Sequence, residues 1–183
     1  MAQIKVLYHH NSYISGLKFA FMIQRFAKAF HLLSVLAFIV IFLYIYAALP
    51  EMVKLKIDTE GNPLQLISRN TFFYIGIGLF ILLNVILIIP AKLIESGASF
   101  NMKRLFPKGD VLREYILGWI YSFVTVVNFS IVVVSVFVHQ LNGVADETGE
   151  PFEFGLYLLP VLFVVWIIML FIILSRKLQE VRS

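Results

Sequence analysis

Asn84 stands in the middle of one long apolar run, and Asn128 and Ser130 stand in the middle of another. An amide in hydrocarbon does one of two things. It lines a path for a polar solute, or it hydrogen-bonds to another helix, which is worth about 0.6 kcal/mol on average. These runs carry no acid or base, so Asn84 and Asn128 are expected to be interhelical polar residues. A second group is acidic. Asp146, Glu147, Glu150 and Glu153 lie in a segment, 139–154, that has no Lys or Arg. Such a patch would steer a basic peptide or the basic face of a partner toward this loop; alternatively, its acids are simply solvated. His9 and His10 are adjacent rather than four apart on one helix face, which does not suit a metal. Cysteine is absent, which excludes disulfides, thiolate metal sites and cysteine nucleophiles. G-x-S-x-G, H-E-x-x-H and P-loop patterns are missing, as are paired intramembrane carboxylates. No catalytic, metal or cofactor-binding residue is assigned. No span holds a His pair for haem, and no cofactor is expected.

The elements that would position these groups are apolar. Of the 183 residues 60% are hydrophobic and 14% charged, against about 45–50% and about 25% in soluble domains. Four runs free of Asp, Glu, Lys and Arg cover about 30–48, 72–89, 115–138 and 155–174. Each reaches the roughly 17–25 residues with which a helix crosses a bilayer. Helix is the conformation expected there, because each unpaired backbone amide in lipid costs several kcal/mol. The expected fold is an all-α membrane protein, a single integral membrane domain over 1–183. Its four transmembrane helices form two tandem helical hairpins. The first run starts too late and is too long for a secretory signal, and reads as a retained helix.

Charge gives an orientation. Residues 1–29 carry Lys5, Lys18, Arg25 and Lys28 and no acid, and segment 90–114 and the tail after residue 175 are also net basic. Lys/Arg excess marks the cytoplasmic side, so both termini are expected inside and loops 49–71 and 139–154 outside. The basic charges flank membrane spans, which argues against nucleic acid as a partner. Within 16–29, Lys18, Gln24, Arg25 and Lys28 fall on one side of a helix and Phe19, Met22, Ile23 and Phe26 on the other. This segment reads as a cytoplasmic amphipathic helix at the lipid interface, or as an extension of the first span.

Loop 49–71 contains VKLKIDTEGNPLQLIS, with Val53, Leu55 and Ile57 alternating with polar residues ahead of a turn. Asp58, Gly61 and Pro63 are turn residues, Gly61 being expected at positive φ, and the segment reads as a β-hairpin. Asp58-Thr59-Glu60-Gly61-Asn62-Pro63 is echoed 88 residues later by Asp146-Glu147-Thr148-Gly149-Glu150-Pro151. Gly149 and Pro151 would be the matching turn residues. At that offset the first span overlays the third and the second the fourth, the signature of an internal repeat. A lone hairpin is marginal in water, so the two loops are expected to pack as a small cap, with Phe152-Glu153-Phe154 a candidate strand.

Leu49-Pro50-Glu51, Gly61-Asn62-Pro63 and Ser68-Arg69 before a new span resemble the outside loop of SdpI-like bacterial membrane proteins. The resemblance covers about 30–90, and Lys56 stands where that family usually has His. It implies a bacterial inner-membrane protein in signalling or toxin immunity, and carries over no site residue. The expected function is non-catalytic: an accessory subunit of a membrane complex, or an SdpI-like sensor or immunity protein. Its partners would be the lipid bilayer and other membrane proteins or a second copy. A small transporter or channel component built from duplicated hairpins is the alternative.

Overall fold

The structure is a computed structural model that describes residues 2–58, 62–143 and 153–182, with side chains described over 15–58, 62–143 and 155–175. In order, α1 is Ala2–Ala48, β1 Met52–Ile57, β2 Pro63–Ser68, α2 Arg69–Ser96, α3 Phe100–Leu105, α4 Val111–Leu141 and α5 Glu153–Arg182. Four of these helices are long and apolar enough to cross a membrane, over Ser15–Ala48, Arg69–Ser96, Val111–Leu141 and Gly155–Ser175. The fold is all-α, two tandem helical hairpins with a two-stranded antiparallel sheet in the first loop.

The basic N-terminal segment is not a separate element. α1 is one helix of 47 residues, about 70 Å long at 1.5 Å per residue, against about 30 Å of hydrocarbon. Its faces also differ from the expected two-sided pattern. Gln24 is buried, while Phe19, Met22 and Phe26 are exposed. The reason is Gly118 on α4: a Cβ there would lie 3.2 Å from Ile23 Cγ2 and 3.6 Å from the Gln24 backbone. The missing side chain lets α1 approach α4 along the Ala20, Gln24, Ala27 face. Small residues at such crossings gain van der Waals contact, the main attraction left to helices in lipid.

The chain divides into two compact units, with the divisions falling inside α1, α2, α4 and α5. The first comprises Met1–Leu32, Ile86–Thr125 and Val165–Ser183; the second comprises Leu33–Val85 and Val126–Val164. The core of the first unit is built from Ala27, Ala91, Ile94, Leu117, Ile120 and Val124, with α3 and its flanks contributing Met102 and Phe106. Its loops have definite local causes. Gly97, at φ 60°, ends α2 with its N–H on Leu93 O, the left-handed position glycine tolerates best. Ser99 caps α3 by accepting from Met102 N, and Asp110 accepts from Leu112 N at the start of α4. The side chains described in this unit include Lys18, Arg25, Lys28, Lys92, Lys103, Arg104, Lys108 and Arg113 against Glu95, Asp110 and Glu114.

The second unit packs around phenylalanine. Phe38 stacks on Phe80 at 3.9 Å and on Phe42 at 5.0 Å, and Phe42 stacks on Phe72 at 5.6 Å. Gly76 makes this possible, since a Cβ there would run into the buried Phe42 ring; at Gly78 nothing lies within 4 Å. A second cluster joins Ile45, Leu49 and Val138 to Val53 of β1.

Candidate functional site

The hairpin is in the second unit, and its register follows from its apolar pattern. Val53 pairs with Ile67 and Lys54 with Leu66. Val53 is fully buried, and Leu55 and Ile67 pack against its cluster. The other face is left outward, with Met52 53%, Leu64 59% and Leu66 45% exposed. Cross-strand partners share a face, so burying Val53 and Ile67 sends Leu66 to the opposite one. At the turn, Asp58 Oδ1 accepts from Asn62 N at 2.7 Å, and Asp58 N donates to Asn62 O at 3.0 Å. Pro63 opens β2, a position where its missing N–H is tolerated. Gly61 lies outside the described residues.

Two residues fix the hairpin to the helices. Asn142, at the end of α4, accepts from Lys54 N at 2.8 Å and donates to Lys54 O at 2.9 Å and to Val138 O at 2.7 Å. One amide thus stands in for a neighbouring strand on the free edge of β1 and also caps its own helix. Arg69 N donates to Glu51 O, and its guanidinium donates to Leu49 O at 3.2 Å, a cation at the C-terminal end of α1. Ser68 Oγ accepts from Thr71 N and starts α2. Glu51, Met52, Ser68, Arg69 and Asn70 line a recess of about 330 Å³ at the hairpin base.

The acidic loop lies almost wholly outside the described residues. Asp146, Glu147, Glu150, Gly149 and Pro151 all fall there, and Glu153 is described only as the first residue of α5. The candidate strand at 152–154 is corrected: residues 153 and 154 are helical. The 88-residue offset places β2 opposite 151–156, of which 153–156 belong to α5. The hairpin is therefore not duplicated strand for strand. The start of that loop does reach the hairpin, through Asn142.

Asn84 and Asn128 meet. Asn84 Nδ2 donates to Asn128 Oδ1 at 2.7 Å and to Phe80 O at 2.9 Å, while Asn128 Nδ2 donates to Ser34 Oγ at 2.9 Å. Asn128 and Ser34 are almost completely buried, so α1, α2 and α4 share one neutral network in the second unit. Ser130 instead donates to Val126 O of its own helix.

The first unit holds an ionic network. Glu95 pairs with Lys28 and with Lys92, accepts from Tyr121 Oη at 3.0 Å, and its backbone oxygen accepts from Arg113 at 3.4 Å. Lys28 also lies 5.3 Å from the Tyr121 ring centre. Arg113 pairs with Glu114, whose side chain is fully buried. The remaining atoms Glu114 Oε2 and Arg113 Nε meet no hydrogen-bond partner among the described residues. In the sequence these residues counted only as flanking charges. The available signal was the Lys92/Glu95 spacing of three, which puts both on one helix face. Asn142 and Ser34 belong to no sequence motif, and nothing local to either marks its role. Among the described residues no group of three or more His, Asp or Glu gathers as a metal site.

Four apolar helices, three of them joined by neutral and ionic networks, with a hairpin fastened at helix ends, define a multi-pass membrane protein. No protein-family model, curated protein or solved structure matches the chain.

Proposed function

We propose that this membrane protein acts by interaction, without catalysis, as an accessory subunit of a membrane complex or as an SdpI-like sensor or immunity protein. The observation that carries the proposal is the outward face of the hairpin. Met52, Leu64 and Leu66 are exposed on an element rigidly held by Asn142 and Arg69. Apolar side chains grouped on a polar loop favour a protein surface as their cover. In this reading the bacterial inner membrane holds the chain, both termini face the cytoplasm, and the hairpin and the acidic loop belong to the outer side. The test joins two measurements. Single cysteines at Glu60, Glu147 and Lys103, in a chain with no native cysteine, should react with an impermeant thiol reagent in intact cells at 60 and 147 only. Co-purification in mild detergent should then be lost on changing Met52, Leu64 and Leu66 to Ser. Labelling at 103 alone would reverse the orientation; unchanged co-purification would remove the hairpin from the contact.

The transporter alternative draws support from a different observation: ionisable groups bridge α1, α2 and α4 at Glu95, and Glu114 is buried. Such groups accompany ion and proton paths. Proton or cation flux in proteoliposomes, abolished by Glu95→Gln, would favour that reading over the interaction reading.

A further inference from the structure

A groove of about 440 Å³ opens within the first unit, lined by Ile23 and Ala27 of α1, Tyr115 and Gly118 of α4, and Met169 and Ile173 of α5 among others. Its volume is within the range that takes one small ligand. The chemistry of its wall is narrow. Trp119 and Trp166 line it, but Trp119 Nε1 donates to Trp166 O at 2.8 Å and Trp166 Nε1 to Ser122 Oγ at 3.0 Å. Ser122 Oγ in turn donates to Trp119 O at 2.9 Å. The two indole N–H groups and the Ser122 hydroxyl are thereby engaged with the protein itself, leaving ring faces, aliphatic carbon and, at one end, the Tyr115 hydroxyl for an occupant.

The groove is also directional. Gly118 faces Ile23, Ser122 meets Trp166, and α5 runs antiparallel to α4, so Ile172 and Ile173 lie toward the Tyr115 end. Four residues beyond Ile172 and Ile173, α5 continues through Arg176 and Lys177. A spacing of four keeps these positions on the same helix face as the groove wall. The start of α4 at Val111 adds the positive end of a helix dipole near Tyr115. The unit as a whole is basic, with eight Lys and Arg among its described side chains against three acids. Hydrocarbon along the groove and positive charge at one end complement an amphiphile with an apolar chain and an anionic head.

We propose that this groove between α1, α4 and α5 binds the acyl chain of an anionic phospholipid, with its headgroup placed at Arg176 and Lys177. The binding is a property of the first unit and does not depend on the hairpin or its partner.

The chain supplies its own probe. It has two tryptophans, and both line the groove. The purified, delipidated protein in detergent should be titrated with phosphatidylglycerol carrying brominated acyl chains, and separately with brominated phosphatidylcholine. The expected result is saturable quenching, with phosphatidylglycerol effective at roughly 20- to 30-fold lower concentration, about fivefold per basic residue. Arg176→Gln with Lys177→Gln should abolish that difference while leaving the quenching by phosphatidylcholine unchanged. Met169→Phe with Ile172→Phe, both at partly exposed positions of the wall, should fill the groove and remove the saturable component. Equal potency of the two lipids in the native protein would overturn the proposal, as would unsaturable quenching. A headgroup preference that survives loss of both basic residues would do the same. Should the phenylalanine variant fail to fold, the charge variant and the headgroup comparison still decide.

Discussion

The two units use the same four long helices and hold them together by different means. In the first, α1, α2 and α4 are bridged ionically: Glu95 of α2 takes Lys28 of α1 and Tyr121 of α4, and Arg113 of α4, paired with the buried Glu114 of its own helix, reaches Glu95 O. There α5 joins α4 through the neutral bonds of Trp119, Trp166 and Ser122. In the second, the bridges are neutral: Asn84, Asn128 and Ser34, beside stacked phenylalanines. Each unit is therefore vulnerable at a different place. Removing one member of a buried ion pair leaves an uncompensated charge, whereas removing one amide from a neutral network leaves groups that find other partners. The charge is also distributed unequally. The described side chains of the second unit include only Lys54, Lys56 and Arg69 against Glu51 and Asp58. The anionic lipid proposed above would therefore be matched by the first unit, and the proposed protein partner by the exposed apolar side chains of the second.

The largest effect is expected from Arg113→Ala. It strands the Glu114 carboxylate, whose side chain is fully buried, and should cost about 3–5 kcal/mol. Reversible unfolding in mixed micelles measures it. Adding Glu114→Ala should recover much of the loss, and failure to do so would show that the pair does not act as a unit. Next comes Gly76→Val in the second unit, where a side chain collides with the buried Phe42 ring. About 1–3 kcal/mol is expected for such overpacking. Gly78→Val, with nothing within 4 Å, should be close to neutral, and equal costs at both positions would contradict the packing described.

Asn142→Ala is the sharper probe of the hairpin. It removes the bonds to Lys54 N and Lys54 O, a loss of about 1–2 kcal/mol. Its expected signature is faster hydrogen exchange over β1, with the helices unaffected except at the last turn of α4, where the bond to Val138 O is also lost. Exchange unchanged at Lys54 would mean that the edge of β1 is held by something else. Of the destabilising changes, Asn128→Ala is expected to cost least, between about 0.6 and 1.7 kcal/mol. A cost as large as that of Arg113→Ala would erase the contrast between the units.

The helices were legible because apolar runs of bilayer length have one viable conformation, and the hairpin was legible from the alternation of Val53, Leu55 and Ile57 around a turn. The amides of Asn84 and Asn128 were conspicuous for the same reason, being polar in apolar runs. Glu95, Arg113 and Glu114 were hidden because flanking charges look alike whether solvated, paired across helices as Glu95 is, or buried beside a neighbour as Glu114 is. Burial of Gln24 was hidden too. It depends on Gly118, almost a hundred residues away, and no local pattern on α1 announces that contact. Asn142 was hidden because its role combines a helix end with a strand edge, and sequence spacing cannot bring those together. The outward-facing Leu64 and Leu66 follow from pairing register, which the sequence leaves open until Val53 is known to face the helices.

In the proposed function the hairpin presents its outward apolar face to another protein. A photo-crosslinking amino acid placed singly at Leu64, Leu66 or Lys103, in intact cells, tests it most directly. A discrete adduct of higher mass, containing a second polypeptide, is expected from positions 64 and 66, and none of the same mass from 103. Crosslinks from 64 and 66 to lipid alone, or to no polypeptide at all, would contradict it.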